Sequence, residues 1–200
     1  MLLRLALTVA VLGVLGTGCS GDGDEPAAPP TSAPAASGSS GSASASATRA
    51  AELPTGCDSM LPFTDLDQAL GRPLFGQTVF TKGVAQPSIG RTGRVTCGYG
   101  MPRGRGTPPV EVGVSTYTDV ESATRRVEAT ISQLRSTGAT QAAATVSGLP
   151  ATVLGTGTSF TVVLTQGSRT IAVTVQRSLH GDPARAAVAV AERVVENLGQ

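Results

Sequence analysis

Tryptophan is absent from this chain, and aromatic residues make up only 3% of it. A core with few large rings closes mainly through Ala, Val, Leu and Thr side chains. That suits modest close packing better than a wide apolar cavity. Histidine occurs once, as His180, and beside two cysteines in the folded part it does not complete a zinc shell. No metal and no cofactor is therefore expected. Lysine also occurs once, as Lys82, so positive charge rests on arginine. The formal net charge is +1, and so small an excess sets up no field that selects nucleic acid. The apolar run Leu5 to Leu15, about eleven residues, is shorter than the roughly 20 that a spanning helix needs. No Gly-x-Ser-x-Gly elbow occurs. The Gly-rich stretch 100–106 lacks the Lys-Ser/Thr of a phosphate loop, and Pro108-Pro109 follow where a helix should start. Ser178, His180 and Asp182 are close in sequence, but triad members meet through fold geometry. Asp182 reads as a helix cap and His180 as a loop residue. With no nucleophile–base pair in view, the chain is not expected to be an enzyme.

What is present begins at the N-terminus. Met1 and Arg4 give a positive start, the apolar run follows, and Gly16-Thr17-Gly18 leads directly into Cys19. This order resembles the lipobox of bacterial lipoproteins, with Leu15 one position early and Gly16 where Leu is usual. The resemblance implies a signal peptide over 1–18, and a Cys19 diacylated on sulfur that becomes the new N-terminus. It places the protein on the extracytoplasmic side of the cell membrane, held by a lipid anchor. The alternative is an ordinary secretory signal that leaves a Cys19 thiol exposed. Residues 19–52 open on Asp22, Asp24 and Glu25 and continue in Ala, Pro, Ser and Gly. Such a segment buries too little apolar surface to offset its ordering entropy, so it reads as a disordered tether with a reach of about 30 Å.

The folded part is expected over 53–200, the length of one ordinary domain. It holds Cys57 and Cys97, and in an oxidising compartment a disulfide is the default over two thiols. Thr64 reads as the cap of a short helix carrying Leu66, Ala69 and Leu70, with Gly71 as its stop. Gln77 to Lys82 reads as a strand, Ile89 to Arg94 as a loop, and Val95 to Tyr99 as a strand holding Cys97. Val110 to Tyr117 alternates as a half-buried strand. Thr118 and Glu121 form a capping-box pattern before Val120, Ala123, Val127, Ile131 and Leu134 recur at helical spacing. Val146 and Ala151 to Leu154 read as short strands. Phe160 to Thr165 and Thr170 to Gln176 read as a hairpin around Gly167. Asp182-Pro183 opens a last helix with Ala186, Val190, Val194 and Leu198 inward. Strands that arrive in runs with short loops predict an α+β fold. Its expected form is an antiparallel sheet of five to six strands, two main helices on one face, and one disulfide.

Four short motifs add a resemblance. They are Cys57-Asp58-Ser59-Met60-Leu61, Cys97-Gly98-Tyr99, Tyr117-Thr118-Asp119 and Gly148-Leu149-Pro150-Ala151. In this order they resemble small actinobacterial lipoproteins of unknown function. They are also similar to the extracellular sensor domains of some actinobacterial receptor kinases. The resemblance implies binding or sensing at the cell envelope and carries over no catalytic residues.

Lys82, Arg91, Arg94, Arg103 and Arg105 flank Cys97 in sequence. If their loops share one sheet edge, Arg91, Arg94, Arg103 and Arg105 form an anion-binding patch. Such a patch suits anionic lipid headgroups, phosphorylated wall polymers or an acidic envelope protein. The bland alternative is a solvated loop whose arginines keep it soluble. The functional expectation is a membrane-anchored, non-catalytic binding or sensor-like module. The alternative is a carrier that encloses a lipid or glycolipid between sheet and helices.

Overall fold

The alternating stretch from Val110 to Tyr117 forms a strand at the heart of the sheet. The computed structural model describes residues 52–103, 106–179 and 181–199. Its elements are α1 (Phe63–Leu70), β1 (Gln77–Gly83), a 3-10 turn (Pro87–Ile89), β2 (Arg91–Met101), β3 (Val110–Tyr117), α2 (Val120–Ser136), β4 (Thr140–Val146), β5 (Leu149–Gly155), β6 (Ser159–Gln166), β7 (Arg169–Gln176) and α3 (Pro183–Leu198). The seven strands make one sheet in the order β1-β2-β3-β7-β6-β5-β4, and every neighbouring pair is antiparallel. The chain builds β1 to β3 as a meander and crosses by α2 to the far edge. It then returns through β4 to β7 until β7 pairs with β3.

Register divides the strands into two faces. Val112, Val173 and Val162 lie side by side on one face, and Val114, Ile171 and Leu164 form the next row. α3 lays Ala187, Val190, Ala191 and Val194 against them, and all four are fully buried. α1 joins this layer through Leu66, and Asn197 donates from Nδ2 to the Asp65 carboxylate at 3.0 Å. Each such buried Val or Leu is worth about 1.5–3 kcal/mol. Gly113, Ala172 and Val163 lie on the other face, which α2 covers. Ala123, Leu154 and Val163 are buried there, apart from the main core cluster.

Seven strands and three helices replace the five to six strands and two main helices expected. The helices also pack on both faces, not one. Periodicity shows that α2 and α3 each have an apolar side, but not which side of the sheet each meets. The strand β3 is consequently buried almost throughout instead of half-buried. In α3 the buried set includes Ala187, Ala191 and Val195, while Ala186 and Leu198 are only half-buried.

Two caps move. α1 starts at Phe63 after Pro62, which offers no side-chain cap, so Thr64 lies within the first turn. α2 is capped by Asp119, not Thr118: the Ser122 N–H donates to its Oδ1, and the Thr118 hydroxyl donates to its Oδ2 at 2.8 Å. These bonds, the Ser122 N–H first, hold the Asp119 carboxyl below its usual pKa. Asp182 caps α3 as expected, accepting from the Ala184 and Arg185 N–H groups. The β4–β5 turn is Ser147-Gly148, both at positive φ, as a tight two-residue hairpin requires.

Cys57 and Cys97 are joined in a disulfide that ties the segment before α1 to the middle of β2. Beside it Tyr99 is fully buried, and its hydroxyl donates to the Cys57 carbonyl at 3.2 Å. Burial, and after it the nearby Asp58 charge, push the Tyr99 hydroxyl well above its usual pKa. Below the ordinary value of 10.0 both folded and unfolded chains keep the proton, and the site adds no pH slope. As pH rises past it, only the unfolded chain ionises, so stability falls. Tyr99→Phe is expected to cost about 1 kcal/mol near neutrality, and that deficit should shrink or reverse near about pH 11. Urea midpoints at the two pH values check this, and a deficit unchanged by pH would contradict it.

Candidate anion-binding site

Arg91 and Arg94 belong to β2, not to the loop expected over Ile89 to Arg94. That loop shrinks to the 3-10 turn and Gly90. The pairing of β2 with β3 explains how two residues three apart reach one face. Arg91 pairs with Tyr117 and Gly93 with Thr116, so Thr92 is an extra residue in a bulge. In a regular strand, positions three apart point to opposite faces, and the bulge restores them to the same one. Both side chains therefore rise on the face of Gly113, beneath α2.

Arg126 reaches the same place from α2. The three arginines line one cavity of about 120 Å³ together with Ser115, Tyr117 and Thr170. Its floor is open because Gly113 has no side chain: a Cβ there would stand 3.7 Å from Arg94 Nη2. Arg91 Nη2 donates to the Val84 carbonyl at 3.4 Å, while its Nε–H is buried without an acceptor. Among the described residues the ion pairs are Arg125 with Glu121 and Arg193 with Glu196, and no carboxylate neutralises the three cavity arginines. Three like charges around one small space repel one another, and a bound anion relieves that repulsion.

The expected patch is thus split. Arg103 follows β2 at its far end and is exposed, about 25–30 Å of extended chain from Arg94. The reason is length: β2 has eleven residues, so the segments flanking Cys97 end up far apart. Lys82 pairs with Val95 on the α3 face, opposite to Arg94. Arg105, Cys19 and His180 lie outside the described residues. Arg126 is the member that sequence reasoning missed. It stands three residues after Ala123 and four before Thr130, a spacing that places it beside the inward stripe of α2.

Next to the cavity, a groove of about 490 Å³ runs between α2 and the 3-10 turn, lined by Pro87, Ile89, Gly90, Ser122, Arg125, Arg126 and Ala129. Gly90, at φ 70°, lets the turn press against α2. A Cβ there would meet the Ser122 and Thr118 hydroxyls at 2.9 Å. A third hollow, about 600 Å³ between α1 and α3, carries Asp182, Glu192 and Glu196 beside Arg185 and Arg193, so its charges nearly cancel.

No family model and no curated protein matches the chain. Among solved structures, the chain is similar to the crystal structure of the extracellular domain of PknH from Mycobacterium tuberculosis. The TM-score is 0.47 and the identity 11%, over 72% of this chain and 95% of that one. At that level of likeness, the site rests on this chain's own residues.

Proposed function

We propose that this protein is a non-catalytic binding module on the extracytoplasmic side of the cell membrane, anchored through a lipidated Cys19, and that it takes anions between α2 and the sheet. The observation that carries the binding half is the convergence of Arg91, Arg94 and Arg126 on one cavity without a carboxylate among the described residues. A hydrogen bond to a charged group contributes about 1.5–3 kcal/mol, more than an exposed ion pair does, and three can act together here. An anionic lipid, a phosphorylated wall polymer or an acidic envelope protein supplies the chemistry such a site takes. The carrier reading has less support, because the space between α2 and the sheet is about 120 Å³ and arginine-lined. Carrier-sized pockets run to about 300–1,000 Å³.

Titration of inorganic phosphate into the full-length chain in detergent tests the anion site. The variant Arg91→Gln/Arg94→Gln/Arg126→Gln is expected to lose at least about a thousandfold in affinity. Arg103→Gln should bind like the wild type. Added salt should weaken the wild-type interaction as screening sets in. Equal binding by the triple variant and the wild type would reject the site.

A further inference from the structure

We infer that the ligand is an organic phosphomonoester, its phosphate seated in the arginine cavity and its organic body in the groove beside the 3-10 turn. This rests on the anion-site reading and deepens it. Charge points to the phosphate. Three arginines line the cavity, and each guanidinium is an array of N–H donors with no acceptor capacity. A phosphomonoester brings up to two negative charges and three terminal oxygens. A carboxylate offers one charge and two oxygens, and a phosphodiester one charge with two ester arms to accommodate.

Size points to the rest of the ligand. About 120 Å³ holds a phosphate and little more, whereas the adjoining groove of about 490 Å³ has the dimensions of a small-molecule site. Arg126 lines both spaces, so a group held at its guanidinium leaves its single ester arm facing the groove. The groove is not a second anion site, because its other arginine, Arg125, is paired with Glu121. Pro87, Ile89 and Ala129 give it apolar walls, and Ser88 and Ser122 add hydroxyls. That lining suits an uncharged organic body.

The test uses inorganic phosphate, phenyl phosphate and methyl phenyl phosphate with the full-length chain in detergent, at constant ionic strength. Phenyl phosphate is expected to bind about tenfold more tightly than inorganic phosphate, and the diester at least about tenfold more weakly than phenyl phosphate. Ala129→Trp fills the groove at an exposed helix position. It should bring phenyl phosphate down to the affinity of inorganic phosphate and leave inorganic phosphate unchanged. Competition by phosphatidic acid vesicles would identify a lipid headgroup as the source of the monoester. Competition by glycerol 3-phosphate alone would identify a soluble one. Tight inorganic phosphate binding with no gain for phenyl phosphate overturns the inference and leaves the anion site standing. Failure of every phosphate to bind removes the anion site itself.

Discussion

Replacing Cys57 and Cys97 with alanine is expected to lower stability by about 4 kcal/mol. The two residues are 40 apart, and closing a loop of that length removes about this much free energy from the unfolded ensemble in the chain-entropy model. For a domain of this size each kcal/mol moves the melting temperature by about 2–4 °C, so the midpoint should fall by about 8–16 °C. Reductant should produce the same shift in the wild type and none in the double variant. Calorimetry of the two proteins with and without reductant makes the comparison, and an unchanged wild-type midpoint would contradict it. The loop contains α1, β1, the 3-10 turn, Arg91 and Arg94. Because the crosslink acts on the unfolded ensemble, phosphate binding by the double variant is expected to match the wild type at temperatures where both are folded.

Cys19→Ala is expected to move the protein almost wholly from the membrane fraction to the soluble one. Among the described residues, no helix is long and apolar enough to cross a membrane. In the proposed reading, attachment depends on acyl chains at Cys19. Each buried methylene contributes about 0.8 kcal/mol; one chain holds only marginally, while two or more hold firmly. Removing the sulfur removes every one of those chains at once, which makes the effect close to all-or-none. Fractionation after metabolic labelling with a fatty acid reads both outcomes. A wild-type protein that carries no label would refute the lipoprotein reading.

Residues with strong local rules were legible in the sequence. Phe160 to Gln176 announces its hairpin through β-branched residues and Gly167, and β6 and β7 pair around that turn. Asp182-Pro183 sets the start of α3 to the residue. β4 was nearly invisible, because Thr140-Gln141-Ala142-Ala143-Ala144 has little strand propensity, and its place comes from pairing with β5. The start of β2 is hidden for a similar reason. Arg91-Thr92-Gly93-Arg94 looks like a loop, yet β3 pairs with it across a bulge. Half the site was therefore legible: Arg91 and Arg94 carry their charge in the sequence, but the bulge that aligns them belongs to the pairing. Arg126 is remote in sequence and reaches them only because α2 crosses this face of the sheet. Arg103 illustrates the opposite failure, since nearness along the chain became distance once β2 ran straight.

The position of the disulfide has a mechanical consequence. The described fold begins at Glu52, whose carbonyl accepts from Arg169, and Cys57 follows shortly after. Tension applied along the chain from that end reaches Cys57 and passes through the sulfur bridge into Cys97 of β2. The stretch between them, with α1, the edge strand β1 and the 3-10 turn, carries no load. An edge strand is ordinarily the first to peel when a sheet is pulled, and here it is shunted out of the force path. Load enters the sheet one strand in, at β2, where pairing on both sides resists it.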